Sequence, residues 1–196
     1  VRVSGTGVDL LSLSAHKFGG PKGAGALYIR RGVTIAPTQG GVQERGLRSG
    51  TENVAGIVGM GVALRLAHAE MPASGARLTG LRDGVIAGVV GGVEGATLTG
   101  HPVHRLPNNA SFVLPGVQGE TLVVALDQRG IAVSSGAACA SGSTEPSHVL
   151  LAMGFGPKLA GSGLRVTVGV SNTAGEVDRL LDVLAGIVPV LRALGA

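Results

Sequence analysis

Three short stretches of the chain gather the side chains able to do chemistry. In the first, residues 8–29 read VDLLSLSAHKFGGPKGAGALYI, where an apolar run ends in Ser14-Ala15-His16-Lys17 with glycines following at once. A lysine amine becomes a nucleophile at neutral pH when desolvation lowers its pKa, and it then forms Schiff bases with carbonyl cofactors. Ser14 and His16 can donate hydrogen bonds to a phosphate, and Gly19-Gly20 lets backbone come close to one. The ordinary alternative is a solvated surface lysine, and spacing alone leaves the two readings open. No G-x-x-x-x-G-K-[ST] occurs, so a P-loop is excluded.

The second stretch, residues 134–150, reads SSGAACASGSTEPSHVL and holds the only cysteine, Cys139. Structural cysteines usually sit in apolar runs, whereas this one is set among Ser, Gly and Ala; it reads as an accessible, reactive thiol, with an incidental cysteine as the open alternative. His148 is its sole nearby ligand partner, so no zinc site is expected. In the third stretch, GLRVTVGV, Arg165 opens an alternating strand and either grips a carboxylate or faces water; sequence alone favours water. A fourth candidate, Ser49-Gly50-Thr51, lies where a helix should begin. Free amides there favour a phosphate, and the plainer reading is an N-cap.

Those residues need elements to hold them. Residues 8–13 and 25–29 have the apolar character of buried strands. Ser49 with Glu52 suggests a capping box, so a helix is predicted from there to residue 69. Residues 71–80, MPASGARLTG, combine Pro72 with two glycines and read as a linker or domain edge, before a second, weak helix at 78–90. A strand is predicted at 109–114, a helix at 118–129 and a strand at 130–134. Leu164, Val166, Val168 and Val170 alternate as in a half-buried strand. Thr173 and Glu176 offer a second capping box, followed by an apolar stripe of Val177, Leu180, Leu181, Leu184, Val188 and Leu191, with Pro189 as a possible bend. This alternation indicates an α/β or α+β chain of two packed units divided near residue 75.

Composition narrows the function classes. Hydrophobic residues make up 44% of the 196 and charged residues 14%, which argues against disorder. The net charge of +4 comes from scattered residues, with no basic block and few aromatics to stack on bases, so direct nucleic-acid binding is not expected. One cysteine excludes an internal disulfide framework and fits a reducing compartment. No signal-peptide pattern opens the chain, and the apolar stretch 54–69, interrupted by Arg65 and His68, reads as too short for a membrane span. A cytoplasmic location is expected. The sequon Asn109-Ala110-Ser111 is coincidental in that setting. The first residue is Val, a few positions before a strand, as in a chain met midway.

Taken together, SLSAHKFGGPKGAGALY, GGVQERGLRSGTENVAGIVG and SSGAACASGSTEPSHVLLAMG resemble the cysteine desulfurases of the class V aminotransferase group, in particular the subgroup serving iron–sulfur assembly. The likeness covers nearly the whole chain. It implies an α/β fold: the end of a fold type I pyridoxal-phosphate large domain, residues 1–75, then a small α+β domain, residues 76–196. It implies pyridoxal 5'-phosphate as cofactor, held covalently by Lys17, with Ser14 and His16 on its phosphate. Thr51 then reaches the phosphate of the partner subunit's cofactor, Arg165 holds the substrate carboxylate, and Cys139 accepts sulfur.

The implied activity converts L-cysteine to L-alanine and leaves a persulfide on Cys139. The implied partners are a second copy of the chain in a homodimer and an iron–sulfur scaffold or sulfur-carrier protein as acceptor, for cluster assembly or tRNA thiolation. The chain departs from the family in length. The family's N-terminal half brings a His stacked on the cofactor ring and an Asp at the pyridine nitrogen. Val170, where the family usually has a polar or basic residue, and segment 71–76 depart as well. Two alternatives remain: a selenocysteine lyase-like enzyme, and a catalytically incomplete piece that only dimerises or docks on a scaffold.

Overall fold

The computed structural model describes residues 3, 5–37, 40–136 and 145–195. Contacts divide the chain into two units, Val1–Pro72 and Ala73–Ala196. The first holds an antiparallel hairpin of β1 (Leu10–Ser14) and β2 (Gly25–Ile29), in the register Leu10↔Ile29 to Ser14↔Gly25. An ion pair of Asp9 with Arg30, at 2.5 Å, closes its open end. Both side chains are about half exposed, so the pair adds little, on the order of 0–1 kcal/mol. The hairpin is not the buried element that its apolar sequence predicts: Leu10 is 45% and Leu27 50% exposed among the described residues.

A short turn, α1 (Gln43–Gly46), places Glu44 and Arg45 in the left-handed region. Then comes α2 (Val54–Gly92), which runs unbroken past the division between the units. Two expectations fail here. The helix starts at Val54 rather than at the Ser49–Glu52 box, because the Asn53 side chain takes the Gly56 amide at 3.0 Å and Gly50 has a left-handed φ of +93°. The 71–80 segment is helix rather than linker, although the division between the units does fall within it, after Pro72, where the sequence predicts a domain edge. Pro72 removes one backbone bond, a cost of about 3 kcal/mol. Tertiary bonds hold the turns beyond it: the Arg77 guanidinium reaches the carbonyls of Gly169, Val170 and Asn172, and Arg82 that of Leu106.

By length and composition alone α2 could cross a membrane. However, Arg65, Glu70, Arg77, Arg82 and Asp83 interrupt it, and Val85 and Val89 are fully buried in the core of the second unit.

That core lies on one face of a three-stranded antiparallel sheet, ordered β3 (Thr97–Leu98), β4 (Asn109–Val113), β5 (Gly163–Thr167). Alternation sends Ala110, Phe112, Leu164 and Val166 to this face, where they meet Val85 and Val89 of α2, Leu122 and Leu126 of α3 (Gly119–Asp127), and the stripe of α6 (Ala174–Leu194). Phe112 is 0% exposed, and truncating such a residue to Ala costs about 3–5 kcal/mol. Two short helices, α4 (His148–Ala152) and α5 (Pro157–Ala160), supply Leu150 and Ala160 to a small cluster around Val113.

The strand predicted at 130–134 is absent, apart from a single bridge between Ser134 and Arg165. Gly130 turns left-handed, and the Gly130 and Ile131 amides bond back to Asp127 and Leu126, ending α3 instead of starting a strand. Likewise β5 stops at Thr167. Val170 is 73% exposed, in a turn where Gly169 donates to the Asn172 side chain.

The second capping box forms as predicted: Thr173 accepts from the Glu176 amide, while the Glu176 carboxylate accepts from the Thr173 amide. That backbone bond, with further help from Asn172, holds the Glu176 carboxyl below its ordinary pKa. A depressed folded pKa stabilises above the unfolded value, and the gain is lost as pH falls through the folded one. Thr173→Ala should therefore cost about 1 kcal/mol in urea unfolding at pH 7. Glu176→Gln should lower stability at pH 7 and converge on the parent below the carboxylate range.

Candidate active site

The hairpin end carries the first group of candidates. Immediately after β1, Ala15–Phe18 forms one 3-10 turn in which Ala15 is fully buried and Ser14, His16 and Lys17 are exposed. Backbone bonds fix the turn: Ala15 N–H to the Ala24 carbonyl at 3.0 Å, and Gly20 N–H to the Ala15 carbonyl at 2.9 Å. Gly19 closes it in a left-handed conformation, φ +83°. A Cβ on Gly20 would stand 2.9 Å from that of Ala15, so this close return needs glycine. Pro21 in the same loop lies against Gly59 of α2, where a Cβ would come within 3.2 Å of the ring.

The hydroxyl, imidazole and amine of Ser14, His16 and Lys17 thus share one tightly built corner, with no side-chain bond to a described residue. Desolvation of Lys17, the reason for singling it out, is not provided by the described residues, since its side chain is exposed. Thr51 is also exposed, three residues ahead of α2, and makes no hydrogen bond to that trio.

The second group lies on the face of the three-stranded sheet opposite the core. Here a cavity of about 370 Å³ is lined by Arg165, Ser111, Thr99, His101, Gly136 and Ser147, among others. Gly136 and Ser147 are described residues on either side of the segment bearing Cys139, and Cys139 itself lies outside the described residues. Arg165 is half-buried. The other arginines of this unit all find acceptors: Arg77 on the 169–172 turn, Arg82 on the Asp83 carboxylate and the Leu106 carbonyl, Arg129 on Ala125, Arg179 on Arg129, Arg192 on Glu94 and Pro115. Arg105, also lining the cavity, bonds Thr99 and His101, with its Nη1 left buried and unpartnered among the described residues. Arg165 alone has no acceptor among the described residues. It lines the cavity half-buried, with no partner for its charge among the described residues.

No acidic side chain is among the described residues that line the cavity. Burial lowers the Arg105 pKa from its ordinary value, and the charge of Arg82 acts the same way, with Asp83 partly offsetting both. Such a site favours a small anion, and a guanidinium matches a carboxylate best. Sequence reasoning missed Thr99, His101 and Ser111. The only available signal was the alternation of β4, which becomes informative once β4 is paired in register with β5.

The family model described as "Aminotransferase class-V" matches residues 1–180. The chain belongs to that family. A protein named "Cysteine desulfurase IscS" from Dictyoglomus turgidum is 49% identical over 99% of this chain and 50% of its own length. Its namesake from Methanosarcina thermophila is 50% identical over 94% of this chain and 46% of its own length. Among solved structures, a "NIFS-LIKE PROTEIN" superposes with a TM-score of 0.84 at 38% identity, over 97% of this chain and 49% of that one. The NifS-like protein from Rickettsia africae gives 0.82 at 28% identity, over 92% and 48%. The α/β fold class expected from sequence therefore holds. The chain spans about half the length of the relatives it matches.

Class-V aminotransferases of this kind depend on pyridoxal phosphate. The hairpin corner fits the aldehyde and phosphate ends of that group: an accessible amine for the first, and an uncommitted hydroxyl and imidazole beside the glycine turn for the second. Since Ser14 pairs with Gly25, where a Cβ would stand 2.7 Å from the Leu13 carbonyl oxygen, Gly25→Ala should open this corner. Amide hydrogen exchange in β1 and β2 should accelerate relative to α6, whose rates should be unchanged.

Proposed function

We propose that this chain is part of a pyridoxal-phosphate-dependent cysteine desulfurase, which converts L-cysteine to L-alanine and passes the sulfur on as a persulfide. The observation that carries the reading is the corner Ser14–His16–Lys17, within a class-V chain about half identical to two proteins named cysteine desulfurase. In this reading Lys17 supplies the amine that anchors the cofactor, Ser14 and His16 donate hydrogen bonds to its phosphate, and Thr51 serves the phosphate of a partner subunit in a homodimer. The cofactor, when bound, supplies an electron sink for bond changes at the substrate's Cα.

The chain's own groups then divide the work. The Arg165 guanidinium orients the substrate by its carboxylate. The Lys17 amine, once free, moves a proton at Cα. The Cys139 thiolate attacks the substrate sulfur; the carbon–sulfur bond breaks with its electron pair going to the carbon, which takes up a proton to give alanine. The sulfur stays on Cys139 as a persulfide. A scaffold or sulfur-carrier thiol collects it, and we place these steps in the cytoplasm, where such thiols stay reduced.

Alanine released from L-cysteine by the cofactor-loaded protein tests the reading. Lys17→Ala should lower the rate by about 10²–10⁴-fold, the usual worth of a positioned proton-transfer group. Cys139→Ser should abolish the protein-bound persulfide detected by mass spectrometry. Arg165→Ala should raise the KM for L-cysteine by about 10–100-fold, since a hydrogen bond to a charged group contributes about 1.5–3 kcal/mol. No alanine from the parent protein would sink the reading. A second reading, docking without turnover, draws support from the exposed Lys17 side chain and predicts that outcome. Preferred turnover of L-selenocysteine would favour the lyase alternative.

A further inference from the structure

Arg165 does not line its cavity alone. It stands directly opposite Ser111 in the β4–β5 register, and both its backbone N–H and its carbonyl bond to Ser134 on the far side of β5. Ser111 and Arg165 therefore form a non-hydrogen-bonded pair of the antiparallel ladder, the kind in which facing side chains are closest, with Cα atoms about 4.5 Å apart. Alternation puts both side chains on the same face, away from Phe112 and Leu164.

Behind Ser111 stands Thr99. Thr99 is 4% exposed and its hydroxyl donates to the Ser111 hydroxyl at 2.8 Å, while its backbone N–H donates to the Ser111 carbonyl at 2.8 Å. Ser111 Oγ is thus an acceptor from Thr99, and its own proton meets no acceptor among the described residues. A half-buried hydroxyl and a half-buried guanidinium, both with unspent donors, share one cavity wall. Arg105 fixes the segment beside them by donating to the Thr99 carbonyl at 2.5 Å and the His101 carbonyl at 3.0 Å.

We propose that Ser111, held in place by Thr99, is the second donor of a carboxylate clamp whose first member is Arg165. A carboxylate has more lone pairs than a guanidinium fork can fill, and a hydroxyl from the facing strand serves one of those left over. The Thr99 bond fixes the Ser111 rotamer in advance, so less is lost when an anion arrives. The inference deepens the proposed function and rests on it for which amino acid binds, but not for the carboxylate.

Calorimetric titration of the cofactor-loaded protein with L-alanine, and with ethylamine as its counterpart without a carboxylate, tests the clamp. Ser111→Ala should weaken L-alanine by roughly tenfold, the worth of one hydrogen bond to a charged group, and leave ethylamine unchanged. Ser111→Thr should restore most of the loss, and Thr99→Val should give a smaller one. For L-cysteine turnover, Ser111→Ala should raise KM by the same factor with kcat nearly constant. Equal weakening of both ligands would mark a merely structural role and overturn the proposal, as would unchanged L-alanine affinity or no L-alanine binding by the parent protein. If L-alanine binds and Ser111→Ala weakens it, yet L-cysteine yields no alanine, the clamp stands and the desulfurase reading falls.

Discussion

The register of β4 against β5 governs the second unit more than any single contact does. Five residue pairs, Asn109↔Thr167 through Val113↔Gly163, fix which side chains face the core. A one-residue slip of β5 against β4 would turn Leu164 and Val166 outward and drive Arg165 into the apolar cluster. An unpaired guanidinium there would cost several kcal/mol, more than most point mutations do. The apolar residues that build the core thus also deliver Arg165 to the opposite face. Placement of the arginine is a by-product of hydrophobic alternation.

The hairpin corner obeys a different constraint. Two isolated strands are marginal in water, and β1 and β2 leave Leu10 and Leu27 half exposed. What holds Lys17 is therefore mostly backbone: the buried Ala15 and the tight return at Gly19 and Gly20, with Pro21 resting against Gly59 of α2. A lysine anchored through its neighbours' main chain keeps its own side chain uncommitted. That leaves the amine free to meet a ligand, unlike a lysine fixed by an ion pair.

Local patterns made part of this legible in the sequence. The bounds of β2, the strand at 109–113 and the capping box of α6 follow from alternation, turn residues and a four-residue signature, all of which act over short range. The continuity of α2 does not, because Pro72 and the glycines of 71–80 argue locally for a break while Arg77 and Arg82 decide the matter through partners far along the chain. The missing strand at 130–134 has a local cause instead, since the Gly130 and Ile131 amides are claimed by the end of α3. Lys17 and Arg165 stand out in sequence through the motifs around them. Ser111 and Thr99 carry no motif, and a serine in an alternating strand gains meaning only when a distant strand supplies its neighbour.

The arginines sharpen that last point. Arg77, Arg129, Arg179 and Arg192 bond backbone carbonyls at turns and helix ends, and Arg82 bonds the Asp83 carboxylate and the Leu106 carbonyl. Arg105 bonds two carbonyls while its Nη1 stays buried without a partner among the described residues. Each therefore contributes to the stability of the second unit. Arg165 sits between Ser111 and Ser134 on a strand whose ladder bonds are already made, and its guanidinium meets no carbonyl among the described residues. An aliphatic residue at 165 would suit the small cluster around Val113 and Leu150 at least as well. Stability gives no reason for a guanidinium at this position, whereas an anionic ligand does, and the unspent hydroxyl facing it supports the same account.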